Sequence, residues 1–178
     1  MLLFCDVDGV LIPFPAPDGS APSTHQTHWA DFPGRADPVK IWLNPVHGRM
    51  LAQLVHVSGL NPVWCTTWRS GAAPQIGSRL GLPLWPSVAL PDPPTDTSHP
   101  NGYLWKRDAL AAHAAHAPFA WIDDDFTSAD HAWAAERDLR VPTLLVETDP
   151  HTGLLPEHLD AVRAWASSAE ARQRDSAA

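Results

Sequence analysis

The chain has 178 residues, of which 44% are hydrophobic, and a formal net charge of -8. This length and composition suffice for one hydrophobic core without disulfides or a structural metal. The acidic balance argues against a free-standing binder of duplex nucleic acid, although it leaves room for a nucleic-acid end held in a local pocket. No apolar run is long enough to cross a bilayer and no signal-peptide pattern precedes the first apolar segment, so we expect a cytoplasmic protein without a membrane partner.

The first predicted element is a short apolar strand over residues 2–7 that leads into two aspartates separated by one residue. Such charges belong at the carboxyl edge of a buried parallel sheet, where open α/β sheets bind ligands. Gly9 lets the chain turn there, so Asp6 and Asp8 can both reach one ligand. A plain strand with an Asp-Gly turn is the competing interpretation, and these residues alone do not separate the two.

The rest of the chain predicts alternating helices and strands after one long excursion. Residues 12–38 are rich in Pro, Gly, Ser and Asp and lack periodicity, which is typical of an irregular loop. Asn44 caps a predicted helix that extends to about residue 57. The later predicted elements are a strand over 62–67, a weak helix from Ser70 to Gly81, a strand over 85–90, a rigid loop over 91–103, helices over 104–116, 128–138 and 156–171, strands over 118–123 and 142–147, and a frayed tail over 172–178.

This alternation predicts one doubly wound α/β domain over residues 1–171, built on a Rossmann-like sheet of about five parallel strands. The two cysteines, Cys5 and Cys65, fall on predicted neighbouring buried strands. A buried cysteine without a metal or redox motif nearby behaves as a small apolar residue. We therefore expect both thiols to be reduced and structural.

Polar side chains follow two further predicted strands as well as the first. Thr66 and Thr67 end the second, residues 123–125 (Asp-Asp-Asp) end a later one, and Lys106 begins the helix between them. With the aspartate pair, these groups provide a nucleophile, a hydroxyl for an oxyanion, a cation and acids for a divalent metal.

The order of these groups along the chain resembles the order of the four sequence motifs of the haloacid dehalogenase (HAD) superfamily, whose members are aspartate-nucleophile phosphotransferases. Residues 6–10 (Asp-Val-Asp-Gly-Val) resemble its first motif, Thr66 the second, Lys106 the third and residues 123–124 the acidic fourth. A narrower resemblance, to the small HAD domain of bacterial "Swiss Army knife" RNA-repair proteins, lies in residues 64–68, 80–83, 121–125 and 152–154.

The resemblance implies strand order 5-4-1-2-3 and a specificity cap, where one exists, inserted after the first or third strand. Residues 12–38 and 91–103 are too short and irregular for a folded cap domain. We therefore expect an open site, with at most a small loop as a lid, that suits a large substrate such as a phosphorylated polynucleotide end or a phosphorylated protein.

The resemblance also implies a role for each motif residue. Asp6 would attack phosphorus and form an aspartyl-phosphate, and Asp8 would protonate the leaving oxygen and then activate water. Thr66 and nearby backbone amides would hold the phosphoryl oxygens, and Lys106 would neutralise nucleophile and phosphate together. The expected magnesium ligands are Asp6, the Asp8 backbone carbonyl, Asp123 and Asp124. The expected substrate-binding residues are Gly9, Thr67 and Trp68.

Several assignments have rivals. Strand alternation sends Thr66 and Thr67 to opposite sides, which favours Thr66 without excluding its neighbour. Arg107 competes with Lys106 for the cationic role. Only some of the three consecutive aspartates can bind the ion, and one is expected to cap the next helix. Asp130 is expected on a solvated helix face, with an acid in the outer shell of the metal site as the alternative.

The aromatic and histidine residues have two interpretations as well. Trp68 and Trp105 lie beside the motifs and could stack on a base, although core packing is the default for tryptophan. The histidine pairs at 25 and 28 and at 113 and 116 lack cysteine or acidic partners at suitable spacing, which argues against zinc.

Three functions remain open on the sequence. The first is a magnesium-dependent phosphatase that acts on a nucleic-acid end or on a small metabolite, in association with RNA-repair proteins. The second is a phosphoacceptor switch that resembles a response-regulator receiver, although such a protein carries its phosphoacceptor on the third strand. The third is a non-catalytic phosphate-binding module in a repair assembly.

Overall fold

A four-stranded parallel sheet forms the centre of the computed structural model, which describes residues 1–177. The elements in chain order are β1 (Leu2–Cys5), β2 (Gln26–Ala30), β3 (Val39–Leu43), α1 (Pro45–Ser58), β4 (Asn61–Trp64), α2 (Arg107–Ala114), β5 (Phe119–Asp123), α3 (Ser128–Asp138), β6 (Thr143–Glu147) and α4 (Pro156–Ala177).

The strand order β4-β1-β5-β6 confirms the doubly wound α/β fold. Strand β1 lies in the middle, paired in parallel with β4 on one side and β5 on the other. The predicted strand over 85–90 is reduced to a single parallel bridge between Trp64 and Ser87. With that bridge at the β4 edge, the order corresponds to the expected 5-4-1-2-3.

Hydrophobic side chains cover both faces of the sheet. One cluster contains Leu3 and Cys5 and is covered by α1 and α4, which pack against each other. The other contains Phe4 and Cys65 and is covered by α2, with Trp133 of α3 at its margin. Successive residues of β1 therefore face opposite layers, as strand alternation requires. Both thiols are free, and burial raises the pKa of each above the usual cysteine value.

Local capping explains two helices whose limits agree with the sequence prediction. The Asn44 side chain accepts a hydrogen bond from the backbone N–H of Val46, and Gly59 ends α1 in the left-handed conformation. Thr127 and Asp130 form a reciprocal capping box at the start of α3. Asp130 is consequently buried at a cap and does not lie on the solvated face expected for it.

The excursion over residues 12–38 is more ordered than predicted, because β2 lies within it and pairs antiparallel with β3. This hairpin buries Ala30, Ile41 and Leu43 on one face, and those apolar side chains stabilise it against the main domain. It remains a two-stranded flap and not a folded cap domain. Residues 91–103 contain no helix or strand, as expected.

Three predicted helices differ from the structure. The helix predicted over residues 104–116 is shorter, because α2 covers only Arg107–Ala114 and Lys106 precedes it as the N-cap residue. Residues 69–80 form short 3-10 and π turns in place of one weak helix; Ser70 does not cap them, while Gly81 ends them in the left-handed conformation. Helix α4 continues to Ala177, so the tail expected to fray from residue 172 is helical as far as the structure describes it. Arg172, in this last part of the helix, pairs with Asp138 of α3 at 3.0 Å. Within residues 1–177, no helix combines the length and apolar composition that a membrane span requires.

Candidate active site

The chain makes a tight turn directly after β1, at the carboxyl edge of the sheet. The Val7 carbonyl accepts hydrogen bonds from the backbone N–H groups of Val10, Leu11 and Ile12. Gly9 sustains this turn with φ 68°, a conformation that L side chains rarely adopt. The turn leaves Asp6 and Asp8 together at the predicted edge.

Asp6 is held at both carboxylate oxygens. Its Oδ1 accepts a hydrogen bond of 2.7 Å from the backbone N–H of Val7, and its Oδ2 accepts one of 2.5 Å from the Lys106 ammonium. The residue is 5% exposed. These contacts fix the orientation of a carboxylate whose remaining lone pairs can face a substrate.

Lys106 bridges two buried carboxylates, because its Nζ also lies 2.6 Å from Asp123 Oδ2. Burial alone would lower the pKa of Lys106, but the charges of Asp123 and Asp6 outweigh it and raise that pKa well above its usual value. The ammonium therefore stays charged. Arg107, the sequence rival, instead stacks 3.2 Å from the Tyr103 ring centroid and pairs with Asp130.

Asp123 accepts three hydrogen bonds from protein donors. Its Oδ2 accepts from Lys106 and from the Trp121 indole N–H at 3.1 Å, and its Oδ1 accepts from the backbone N–H of Asp124. Burial raises the pKa of Asp123, while the Lys106 charge opposes that shift. Asp123 is thus placed to position the lysine.

Asp124 is half-buried and turns its carboxylate towards Gly9. A Cβ atom at position 9 would lie 2.1 Å from Asp124 Oδ2, so only glycine leaves room for this carboxylate. Burial, and then the charge of Asp6, raises the pKa of Asp124 to about 7. A half-buried carboxylate next to a second negative charge is a suitable ligand for a cation.

Asp6, Asp123 and Asp124 form the one cluster of three or more metal-ligand side chains among residues 1–177. One oxygen from each lies within 4.8 Å of the others. An all-oxygen set of carboxylates fits a hard divalent cation such as Mg2+. Because Asp123 already accepts three hydrogen bonds from the protein, against two at Asp6, Asp124 and Asp6 are the better placed direct ligands.

Asp8 is oriented by two side chains that sequence reasoning assigned to the substrate. Thr67 Oγ1 donates to Asp8 Oδ2 at 2.9 Å, and Trp68 Nε1 donates to Oδ1 at 3.1 Å. Burial, followed by the charge of Asp6, raises the pKa of Asp8, against the lowering effect of these two hydrogen bonds. An aspartate with a raised pKa is suited to exchange a proton.

Of the two interpretations of Trp68, the structure supports core packing and leaves no exposed ring face for a base. Its ring is 1% exposed and packs at 4.9 Å, edge to face, against Phe32 of the segment after β2. Sequence position alone could not show that the indole N–H has a buried carboxylate as its partner. Trp105 is partly buried beside the second hydrophobic cluster.

Thr66 is buried two residues after the end of β4, and its Oγ1 accepts a hydrogen bond from the backbone N–H of Trp68. Arg69, three residues further along the chain, adopts φ 51° and donates to the carbonyls of Leu90 and Pro91. This contact fastens the loop over residues 91–103 to the motif. It was not predicted from the sequence.

The remaining candidates lie outside the acidic cluster. Asp125 pairs with His99 at 3.1 Å. His25 lies against His47 of α1, with ring centroids 5.6 Å apart, and His113 lies against Phe4. Neither predicted histidine pair belongs to a cluster of three or more ligands among the described residues.

Two contributors to the site were missed. Trp121 donates to Asp123, and Thr148 donates from its Oγ1 to the carbonyl of Gly9 at 3.0 Å. The period of two along β5 puts Trp121 and Asp123 on the same face, so the contact between these two residues could have been predicted from the sequence. Thr148 is 139 residues from Gly9, and no local pattern marks that contact.

A paired aspartate turn, a buried lysine and an acidic cluster at the carboxyl edge of a Rossmann-like parallel sheet define a domain of the HAD superfamily. The family described as the HAD domain in Swiss Army Knife RNA repair proteins matches residues 2–159, and the chain belongs to this family.

One solved structure, assigned to the HAD superfamily (subfamily III A) hydrolases and coming from Legionella pneumophila, is similar to this chain. The two are 18% identical, with a TM-score of 0.44, over 95% of this chain and 85% of the other. No curated protein matches the chain.

Proposed function

We propose that this protein is a Mg2+-dependent phosphohydrolase that acts through an aspartyl-phosphate on Asp6. The observation that carries the proposal is the placement of Lys106 and Asp8 around Asp6. One side chain supplies a permanent positive charge at the nucleophile, and the other supplies a carboxyl with a raised pKa on the same turn.

In the first step, an Asp6 oxygen forms a bond to phosphorus as the ester bond to the leaving oxygen breaks. Asp8 transfers its proton to that oxygen, so the product leaves as an alcohol. In the second step, Asp8 takes a proton from water, whose oxygen attacks phosphorus and releases phosphate and the Asp6 carboxylate. Splitting one displacement into two in this way is the general benefit of a covalent nucleophile.

Charge decides whether a phosphate can approach this edge. The aspartates would repel a phosphate dianion, and Lys106 offsets only part of their charge. A Mg2+ ion held by Asp6 and Asp124 would supply the remaining positive charge and polarise the phosphoryl oxygens. Thr66 and the backbone amides beside it would bind those oxygens.

We further propose that the phosphate belongs to a nucleic-acid end. Two facts support this substrate: the family name refers to RNA repair proteins, and the flap of β2 and β3 is too small to form a cap domain over a small molecule. Association with other RNA-repair proteins is part of the same proposal. A small-metabolite phosphatase is the alternative.

The test is phosphate release with and without Mg2+ from 3′- and 5′-phosphorylated oligonucleotides, mononucleotides and sugar phosphates. Asp6→Asn should abolish release, and Asp8→Asn should lower it by orders of magnitude. Asp160→Asn, on the exposed side of α4, is the matched control and should leave it unchanged.

Higher kcat/KM on mononucleotides or sugar phosphates than on oligonucleotides would reject the nucleic-acid substrate. A stable phosphoprotein without turnover would favour the receiver-like interpretation. Full activity of Asp6→Asn would reject the mechanism.

A further inference from the structure

The hairpin of β2 and β3 presents an aromatic and cationic face away from the core. Its inward face carries the buried Ala30, Ile41 and Leu43, so strand alternation places Thr27, Trp29, Lys40 and Trp42 on the outward face. Cross-strand pairing puts Trp29 opposite Lys40 and Thr27 opposite Trp42. We call these four residues the tryptophan platform.

Neither tryptophan of this platform is a core residue. Trp29 is 63% exposed, although large aromatic side chains normally contribute most when buried. Trp42 is half-buried, and the Lys40 ammonium lies 5.4 Å from its ring centroid. The platform therefore offers an open ring face beside a positive charge.

The hairpin is fastened to the turns over residues 69–80, which follow the Thr66 motif along the chain. Arg79 donates to the Trp29 carbonyl, and Asp31 donates its backbone N–H to Gln75 Oε1. Three residues after Trp29, Phe32 packs on Trp68, which in turn donates to Asp8. Three residues of extended chain span at most about 10 Å, so the backbone of Trp29 lies within about 10 Å of Phe32, and Phe32 is two side-chain contacts away from Asp8.

We propose that the tryptophan platform binds unpaired bases of a single-stranded nucleic acid whose terminal phosphate lies at Asp6. This inference rests on the proposed function and names the part of the substrate beyond the phosphate. Trp29 and Trp42 stack on bases, while Lys40 neutralises a backbone phosphate.

The net negative charge of the protein favours base stacking, rather than a general electrostatic attraction, as the source of its affinity for a nucleic acid. At a formal net charge of -8, the chain as a whole repels a polyanion, so affinity must come from local contacts. Base stacking on aromatic rings provides such contacts and accepts every base. The platform thereby favours an oligonucleotide end over a free mononucleotide.

The test measures binding of a short fluorescein-labelled single-stranded RNA without a terminal phosphate, by fluorescence anisotropy. Trp29→Ala should weaken binding by about tenfold, Trp42→Ala by a similar factor, and Trp29→Phe should restore most of it. Leu139→Ala is the control, since Leu139 is 84% exposed directly after the last residue of α3, does not belong to the platform and should have no effect. Unchanged melting temperatures would show that the variants fold.

A second arm compares kcat/KM on a phosphorylated oligonucleotide and on a mononucleotide with the same phosphate. Trp29→Ala should lower the first about tenfold and leave the second unchanged.

Failure of the parent to bind single-stranded RNA, or equal binding by Trp29→Ala, would overturn the platform. A change in sedimentation on Trp29→Ala with no effect on RNA binding would show that a second copy covers this face, and would overturn it too. Trp29-dependent RNA binding by a parent that releases no phosphate from any substrate would instead reject the proposed function alone.

Discussion

Lys106→Met removes the ammonium that two buried carboxylates share. The lysine side chain is 5% exposed, and those of Asp6 and Asp123 are 7% and 0% exposed. Breaking a buried ion pair by removing one partner costs about 3–5 kcal/mol, because the remaining charges stay buried without compensation. We expect the free energy of unfolding at pH 7 to fall by about this amount.

The loss of unfolding free energy in Lys106→Met should become smaller as the pH falls. Burial already raises the pKa of Asp123, and loss of the Lys106 charge that opposes this shift raises it further. In the variant, the folded state therefore binds protons more readily than the unfolded chain. Lowering the pH towards the usual aspartate range protonates the folded carboxyls and relieves the penalty, so the difference from the parent shrinks.

Urea unfolding followed by tryptophan fluorescence measures the effect. With m values of about 1–3 kcal/mol per molar urea, the midpoint should fall by at least about 1 M. Lys40→Met is the matched control, because Lys40 is exposed and its loss should cost no more than about 1 kcal/mol. A Lys106→Met midpoint within error of the parent, or a deficit that is the same at acidic and neutral pH, would refute the reasoning.

Three further predictions follow from contacts around the site. Thr67→Val removes the donor to Asp8 Oδ2, and since a hydrogen bond to a charged group is worth about 1.5–3 kcal/mol, kcat should fall about tenfold or more. The pKa of Asp8 should also rise, which moves the alkaline limb of the kcat/KM profile to higher pH; an unchanged profile would contradict this. Asp124→Asn should abolish the rise in melting temperature that Mg2+ produces in the parent by mass action, whereas Asp125→Asn, at the neighbouring position, should retain it. Burial, and then His25, lowers the pKa of His47 from 6.5 to about 4, so the unfolded chain takes up the proton first and stability should decline by about 3 kcal/mol as the pH falls from about 6.5 to about 4. His47→Leu should flatten that part of the stability curve, and an equally steep decline in the variant would exclude His47 as the source.

The catalytic edge was predictable because it depends on strand topology. Parallel strands end at one edge, so polar groups that follow β1, β4 and β5 must meet there, whatever the details of packing. The Asn44 cap and the limits of α3 were predictable for a similar reason, since the signals are local. The match between Lys106 and Asp6 needed the additional knowledge of a family pattern.

Contacts between distant segments were not predictable. Residues 26–30 contain Gln, Thr and His among the apolar residues, and only the partner strand β3 makes them a strand. Trp68 is a positioning group for Asp8 because the turn after β1 brings a carboxylate to its indole N–H from 60 residues away. The helical residues beyond 171 include Arg172, whose partner Asp138 is 34 residues away in the sequence.

The central claim is that phosphate passes through a covalent bond to Asp6. The most direct measurement is an acid quench during turnover of a radiolabelled phosphate substrate with Mg2+, followed by mass spectrometry of the labelled peptide. The account predicts label on the peptide that contains Asp6, removed by hydroxylamine as expected for an acyl phosphate and absent in Asp6→Asn. Turnover by the parent with no label on Asp6, or turnover retained in Asp6→Asn, would contradict it.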